Sequence, residues 1–186
     1  FQDGETFRAE DLNTIVRDLV FDFAADHDHS IDHLTIMRDG KISEDVEAIR
    51  EGVDSLDVDV DLVGVRKSGQ PRVGHWKGDG WRIADKGVAF IDDDRDRAVL
   101  HSWGMPDCGE ELATGTPKTV GIRKHSGPTD IATLTEQSYW LSEMHYGSPA
   151  RSTRLPVPIK YADKAAQYVR EGYADKNSII EGPAYL

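Results

Sequence analysis

The stretch "HLTIMRDGK", residues 33–41, decides the fold. Leu34, Ile36 and Met37 surround Thr35 in a strand-like pattern that stops at Arg38, Asp39 and Gly40. The tripeptide leaves two readings open. Asp-Gly is a common hairpin dipeptide, which makes Asp39 a turn residue. Alternatively Asp39 is a metal-binding carboxylate at the rim of a sheet, with Gly40 beside it to let the backbone turn.

Apolar spacing assigns the neighbouring elements. Leu12, Ile15, Val16, Leu19, Val20 and Phe23 recur at helical intervals and predict an amphipathic helix over residues 9–25. "SEDVEAIREGV" reads as a second helix, with Ser43 as N-cap and Glu44, Asp45 and Glu47 near its positive end. "VDVDLVGVRKSG" alternates and then turns continuously apolar, as a largely buried strand does. "SGQPRVGHWKGDGW" is rich in turn residues and reads as a hairpin with an exposed tip. Short strands are expected around an acidic loop at Asp92, Asp93, Asp94 and Asp96. The spacing of those acids fits no standard cation loop, so a solvated turn is the expectation. "TPKTVGIRKH" is another strand, and Thr129 or Asp130 caps a helix over residues 131–145. In "RLPVPIKYADKAAQYVREGY", Pro156 and Pro158 predict extended chain that becomes helical around Ala162, with Ala165, Ala166 and Val169 facing inward. Strands alternating with helices in the first third indicate an α/β layer fold.

Composition narrows the function. A length of 186 residues suits one α/β domain. No apolar run reaches the length needed to span a bilayer, and no leader is read, so no membrane partner is expected. Cys108 is the only cysteine, which fits a reducing, cytoplasmic setting, and it reads as a small buried apolar residue. His27, His29 and His33 read as loop residues rather than a zinc site, because residues two apart share no helix face. The net charge is −12, with 34 acids against 22 bases. Such a balance argues against nucleic-acid binding unless salt screens distant charge, as it does at about 1 M, where the Debye length is about 3 Å. The Asp-rich, Arg-over-Lys composition is what a salt-adapted cytoplasm would favour.

Three segments occur in an order that resembles one family: "RDGK" at a strand end, "GTPKTVGI" before a helix, and "RLPVPIKYADKAAQYVREG" near the C-terminus. Together they resemble the second half of the PIWI domain of Argonaute proteins, of a prokaryotic, salt-adapted kind. The resemblance runs through essentially the whole chain. It implies an RNase H-like α/β fold, with residues 1–186 as one domain, the C-terminal part of PIWI. It also implies a guide-dependent endonuclease that cuts a DNA or RNA target paired to its guide, using Mg²⁺ or Mn²⁺. By position, Asp39 matches the family's second catalytic Asp, Asp163 its last acid, and Glu5, in "QDGE", its loop glutamate. The first catalytic Asp falls upstream of Phe1, as do the guide-binding modules. The isolated chain is therefore expected to be inactive or a weak cleaver. Leu186 matches the C-terminal residue whose carboxylate helps hold a cation at the guide 5′ phosphate.

Carboxylates suit this chemistry because two hard cations, about 4 Å apart, activate water and stabilise the leaving oxygen. Bases gather at three of the matched places. Arg66, Lys67 and Arg72 lie in "RKSGQPR", Lys118 follows the "GTP" segment, and Arg154 and Lys160 flank the Pro-x-Pro segment. They would grip phosphates while base pairing reads sequence. Each residue also has a plainer account. Asp163 suits a helix N-terminus, Glu5 an exposed loop, and the bases ordinary surface pairing. Trp76 and Trp81 are expected to pack in the core or in the hairpin rather than stack on bases. The alternative function is a non-catalytic nucleic-acid-binding or interaction module on the same fold.

Overall fold

A computed structural model of the chain describes residues 9–27, 29–40, 42, 46–54, 57–76, 78–103, 118–144 and 153–173. Glu5, Ser43, Cys108, residues 115–117 and Leu186 lie outside them.

Helix α1 (Ala9–His27) precedes strand β1 (His33–Asp39), helix α2 (Val46–Asp54) and strand β2 (Asp59–Arg66). β1 and β2 pair in parallel, so the chain after Asp39 crosses over through α2 and forms no hairpin. Gly40, at φ +81°, turns the backbone out of the sheet, and its N–H donates to the Val65 carbonyl at 2.8 Å. Strands β3 (Gly74–Trp76) and β4 (Trp81–Ile83) form a separate hairpin. There Trp76 and Trp81 meet edge to face at 6.0 Å and stay largely exposed. Strands β5 (Ala89–Asp92), β6 (Arg97–Leu100) and β7 (Val120–Ser126) complete a five-stranded mixed sheet in the order β1-β2-β7-β6-β5. Helices α3 (Ile131–Glu143) and α4 (Val157–Glu171) close the described fold.

Period-two alternation sorts the side chains between two cores. Leu34, Ile36, Val60 and Leu62 pack with Leu12 and Val16 of α1 and Ile49 of α2. Met37, Val63, Val65, Leu100 and Ile122 pack with Ile131 and Leu134 of α3 and Ile159 of α4. The sheet is thus covered on both faces, the α/β layering expected from the sequence.

Three expectations fail in detail. His27 and His33, read as loop residues, end α1 and open β1. Of the six apolar positions expected to face inward in α1, Leu12, Val16 and Val20, spaced four apart, are buried, whereas Ile15, Leu19 and Phe23 are exposed. The buried stripe is narrower than the apolar one. In α4 the helix begins at Val157 rather than near Ala162. Pro156 is its N-cap and Pro158 sits in its first turn, where no intrahelical N–H bond is lost. Ala165 and Val169 are partly buried, but Ala166 is exposed. No helix among the described residues is long and apolar enough to cross a membrane.

Candidate active site

The alternation that sorts the cores also aims the polar residues at the strand ends. Met37 faces the α3/α4 layer, so Asp39, two residues on, faces it too. Val63 and Val65 face that layer, and Lys67 follows in the same phase just beyond β2. Asp163 reaches the same place from the second turn of α4. The Lys67 ammonium lies 2.5 Å from Asp39 Oδ2 and 2.7 and 2.8 Å from the two oxygens of Asp163. Two acids on distant elements therefore converge on one cation. Their carboxylates can be no further apart than these contacts laid end to end. The side chains of Asp39 and Asp163 are 37% and 44% exposed, which leaves the pair open to solvent.

Burial by itself would lower the Lys67 pKa. Hydrogen bonds to Asp163 and Asp39, with the attraction of both charges, outweigh it and hold the ammonium above its usual value. Its contribution to stability is therefore intact below the ordinary lysine range and is lost only as pH rises through the folded value.

The register fixes which segments share this rim. Arg66 stands opposite Gly121, and Leu100 opposite both Val120 and Ala89. The exits of β1, β2 and β6 thus meet the entries of β7 and β5. Arg154 Nη1 donates to the carbonyls of Lys67 at 2.8 Å and Thr119 at 3.2 Å. The Thr119 hydroxyl donates to the Pro71 carbonyl at 2.7 Å, and Ser102 Oγ to the Arg154 carbonyl at 2.5 Å. These bonds bind the loop after β2 to the segment before α4. Burial, and then the nearby Arg72, push the Arg154 pKa down.

The rim gathers the candidate bases. Arg66 and Lys67 stand at the β2 exit, Lys118 is exposed at the β7 entry, and Arg72 adjoins Pro71. Lys160 lies in the first turn of α4, its pKa lowered by burial and then by Lys164. Lys67 and Arg154 have contacts that their spacing in the sequence did not indicate: one bridges the acids and the other binds backbone. Glu5 and Leu186 lie outside the described residues.

The opposite rim holds what the sequence reading missed. Asp61 is fully buried in β2, with Oδ2 2.6 Å from His33 Nε2, and its Oδ1 accepts the Thr129 N–H at 3.1 Å. It ties β1 and β2 to the approach to α3. The only signal was an acid inside a run otherwise read as buried. The acidic loop lies at that rim as well, as a short 3₁₀ turn (Asp93–Arg95) in which Asp92 pairs with Arg97 and Arg95.

A hard divalent cation fits the Asp39–Asp163 pair in chemistry. The donors are carboxylate oxygens, and they already converge on a positive charge. Among the described residues no group of three or more His, Cys, Asp or Glu gathers to hold a metal ion. The pair would be part of a ligand set.

No family model matches the chain. Two curated relatives do. Over 170 residues, 89% of this chain, it is 27% identical to the protein argonaute of Synechococcus elongatus. Over 169 residues, 90% of the chain, it is 26% identical to that of Thermus thermophilus. Among solved structures, Clostridium butyricum Argonaute bound to a guide DNA and a 19-mer target DNA superposes with a TM-score of 0.79. That match has 24% identity and covers 90% of this chain and 21% of that one. The resemblance to Argonaute proteins holds in sequence and in fold.

Marinitoga piezophila Argonaute, in complex with a 5′ OH guide RNA and target DNA, matches with a TM-score of 0.65 at 20% identity. That likeness covers 88% of this chain and 23% of that one. The chain likewise spans 23% of the length of each curated Argonaute it matches.

Proposed function

We propose that this chain is the C-terminal part of a PIWI domain in a guide-directed endonuclease, with Asp39 and Asp163 among the carboxylates that bind Mg²⁺ or Mn²⁺. One observation carries this reading: two acids from β1 and α4 bring their carboxylates onto a single cation at one rim of the sheet. Divalent ions held there would activate a water and stabilise the leaving oxygen of a phosphodiester. The chain's own part is to fix the ligands. β1 holds Asp39 in register with Val65, and α4 presents Asp163 from its second turn. Arg66, Arg72, Lys118 and Lys160 take phosphates of a guide and its target, while base pairing reads sequence. Arg154 braces the loop that carries Lys67 and adds positive charge beside Arg72. Glu5 completes the set, as the family resemblance implies, and the remaining ligands and guide-binding modules come from other parts of a longer protein. The composition supports a reducing, salt-rich cytoplasm as the setting.

A non-catalytic nucleic-acid-binding module is the second reading. Cleavage assays on the full-length protein separate the two. With guide, target and Mn²⁺, Asp39→Ala and Asp163→Ala should each lower the rate by at least about a thousandfold, as removal of a metal ligand from a two-metal centre would. Variants that cut as fast as the parent would remove the carboxylate assignment, and a parent that binds but never cuts would favour the second reading.

A further inference from the structure

We propose that Lys67 is a built-in counter-ion that holds Asp39 and Asp163 together without metal and gives way when a divalent cation binds. The inference rests on the metal reading of that pair. Two carboxylates this close repel each other unless a positive charge stands between them. Lys67 supplies it, through one contact to Asp39 and one to each oxygen of Asp163. A hard cation needs those same oxygens, and it cannot share them with an ammonium at bonding distance, because the two positive charges would repel.

The local construction suits an exchange. The Lys67 ammonium sits on a flexible four-carbon stem. Its backbone is anchored independently, because Arg154 Nη1 donates to the Lys67 carbonyl at 2.8 Å. The side chain can leave while the loop stays. Ser68 and Gly69, the next two residues, are exposed, so solvent is close by. Lys67 thus acts as a positioning residue. It keeps the ligands preorganised and sets the concentration of metal at which they load.

The test is Mn²⁺ binding to the full-length protein, which carries the remaining ligands, read from the loss of the free-ion electron paramagnetic resonance signal, with no cleavage measured. Lys67→Met should bind Mn²⁺ about tenfold or more tightly than the parent, since a competing charge is gone. Lys67→Arg, which keeps the charge, should stay near the parent. Asp39→Asn should abolish binding in every background. In EDTA, Lys67→Met should melt below the parent, and Mn²⁺ should close that gap. Binding that needs Asp39 and Asp163 but is unchanged or weaker in Lys67→Met would overturn the exchange and leave the metal site standing. If no variant shows carboxylate-dependent binding, the metal reading fails, and the exchange fails with it.

Discussion

Gly64 shows how closely the backbone is packed behind the candidate site. It stands opposite Arg38 on β1, and a Cβ there would lie 2.8 Å from the Gly40 carbonyl oxygen and 3.0 Å from His125 Nε2. Backbone must move to admit it, and the backbone concerned is the turn that directly follows Asp39. Gly64→Ala should therefore cost about 1–3 kcal/mol in chemical denaturation, as overpacking does, and should also weaken Mn²⁺ binding. A variant of parental stability and affinity would show that the turn after Asp39 is not held this way. The charged residues were only partly legible at this scale. Asp39 stood out because it ended an apolar run at a glycine. Asp61 did not, because nothing in the strand read as largely buried encodes its partners, His33 on β1 and Thr129 before α3. Lys67 read as a phosphate ligand because its partner Asp163 lies 96 residues away, and no local pattern encodes that contact.

Among the elements, those with a clear period were readable before any coordinates. The helix over 131–143 and the strands β1, β2 and β7 follow apolar spacing directly, although the parallel pairing of β1 with β2 was not read from it. The start of α4 did not, because the rule that chain before proline is extended competes with the tolerance of a first helical turn for proline. The second effect prevails here, with Pro156 as cap and Pro158 just inside. That shift moves Asp163 from the helix start into its second turn, where it meets Lys67. At α3 the cap is Asp130, which accepts the Thr133 N–H and hydroxyl, both at 2.8 Å. These bonds hold its carboxyl below the usual aspartate range. A depressed value means that the cap contributes above the ordinary range and is lost as pH falls through the folded one. Asp130→Ala should lower the melting temperature by a few degrees at neutral pH, and the difference should vanish in acid. A gap that persists unchanged at low pH would mean that the charge and its hydrogen bonds are not what caps α3.

At the scale of the whole molecule, a net charge of −12 opposes compaction, while Arg154 and Arg72 lie near each other at the candidate rim. Raising salt toward about 1 M shortens the Debye length to about 3 Å, which relieves long-range repulsion but spares contact pairs such as those of Lys67. Thermal stability should therefore rise steadily with KCl. A melting temperature independent of salt would remove the salt-adapted reading without touching the site. The layered fold was legible because alternating strands and helices leave few ways to cover both faces of a sheet. The meeting of Asp39 and Asp163 at one rim was implied by the family resemblance, but the Lys67 ammonium between them was not, since it depends on register and helix placement together.

The most direct measurement is a crystal structure of the full-length protein grown with saturating Mn²⁺, with the metal located by its anomalous scattering. The expected result is a peak bound to carboxylate oxygens of both Asp39 and Asp163, with the Lys67 ammonium moved away. A map with the ammonium still bridging the two acids, and manganese elsewhere or nowhere, would contradict the account.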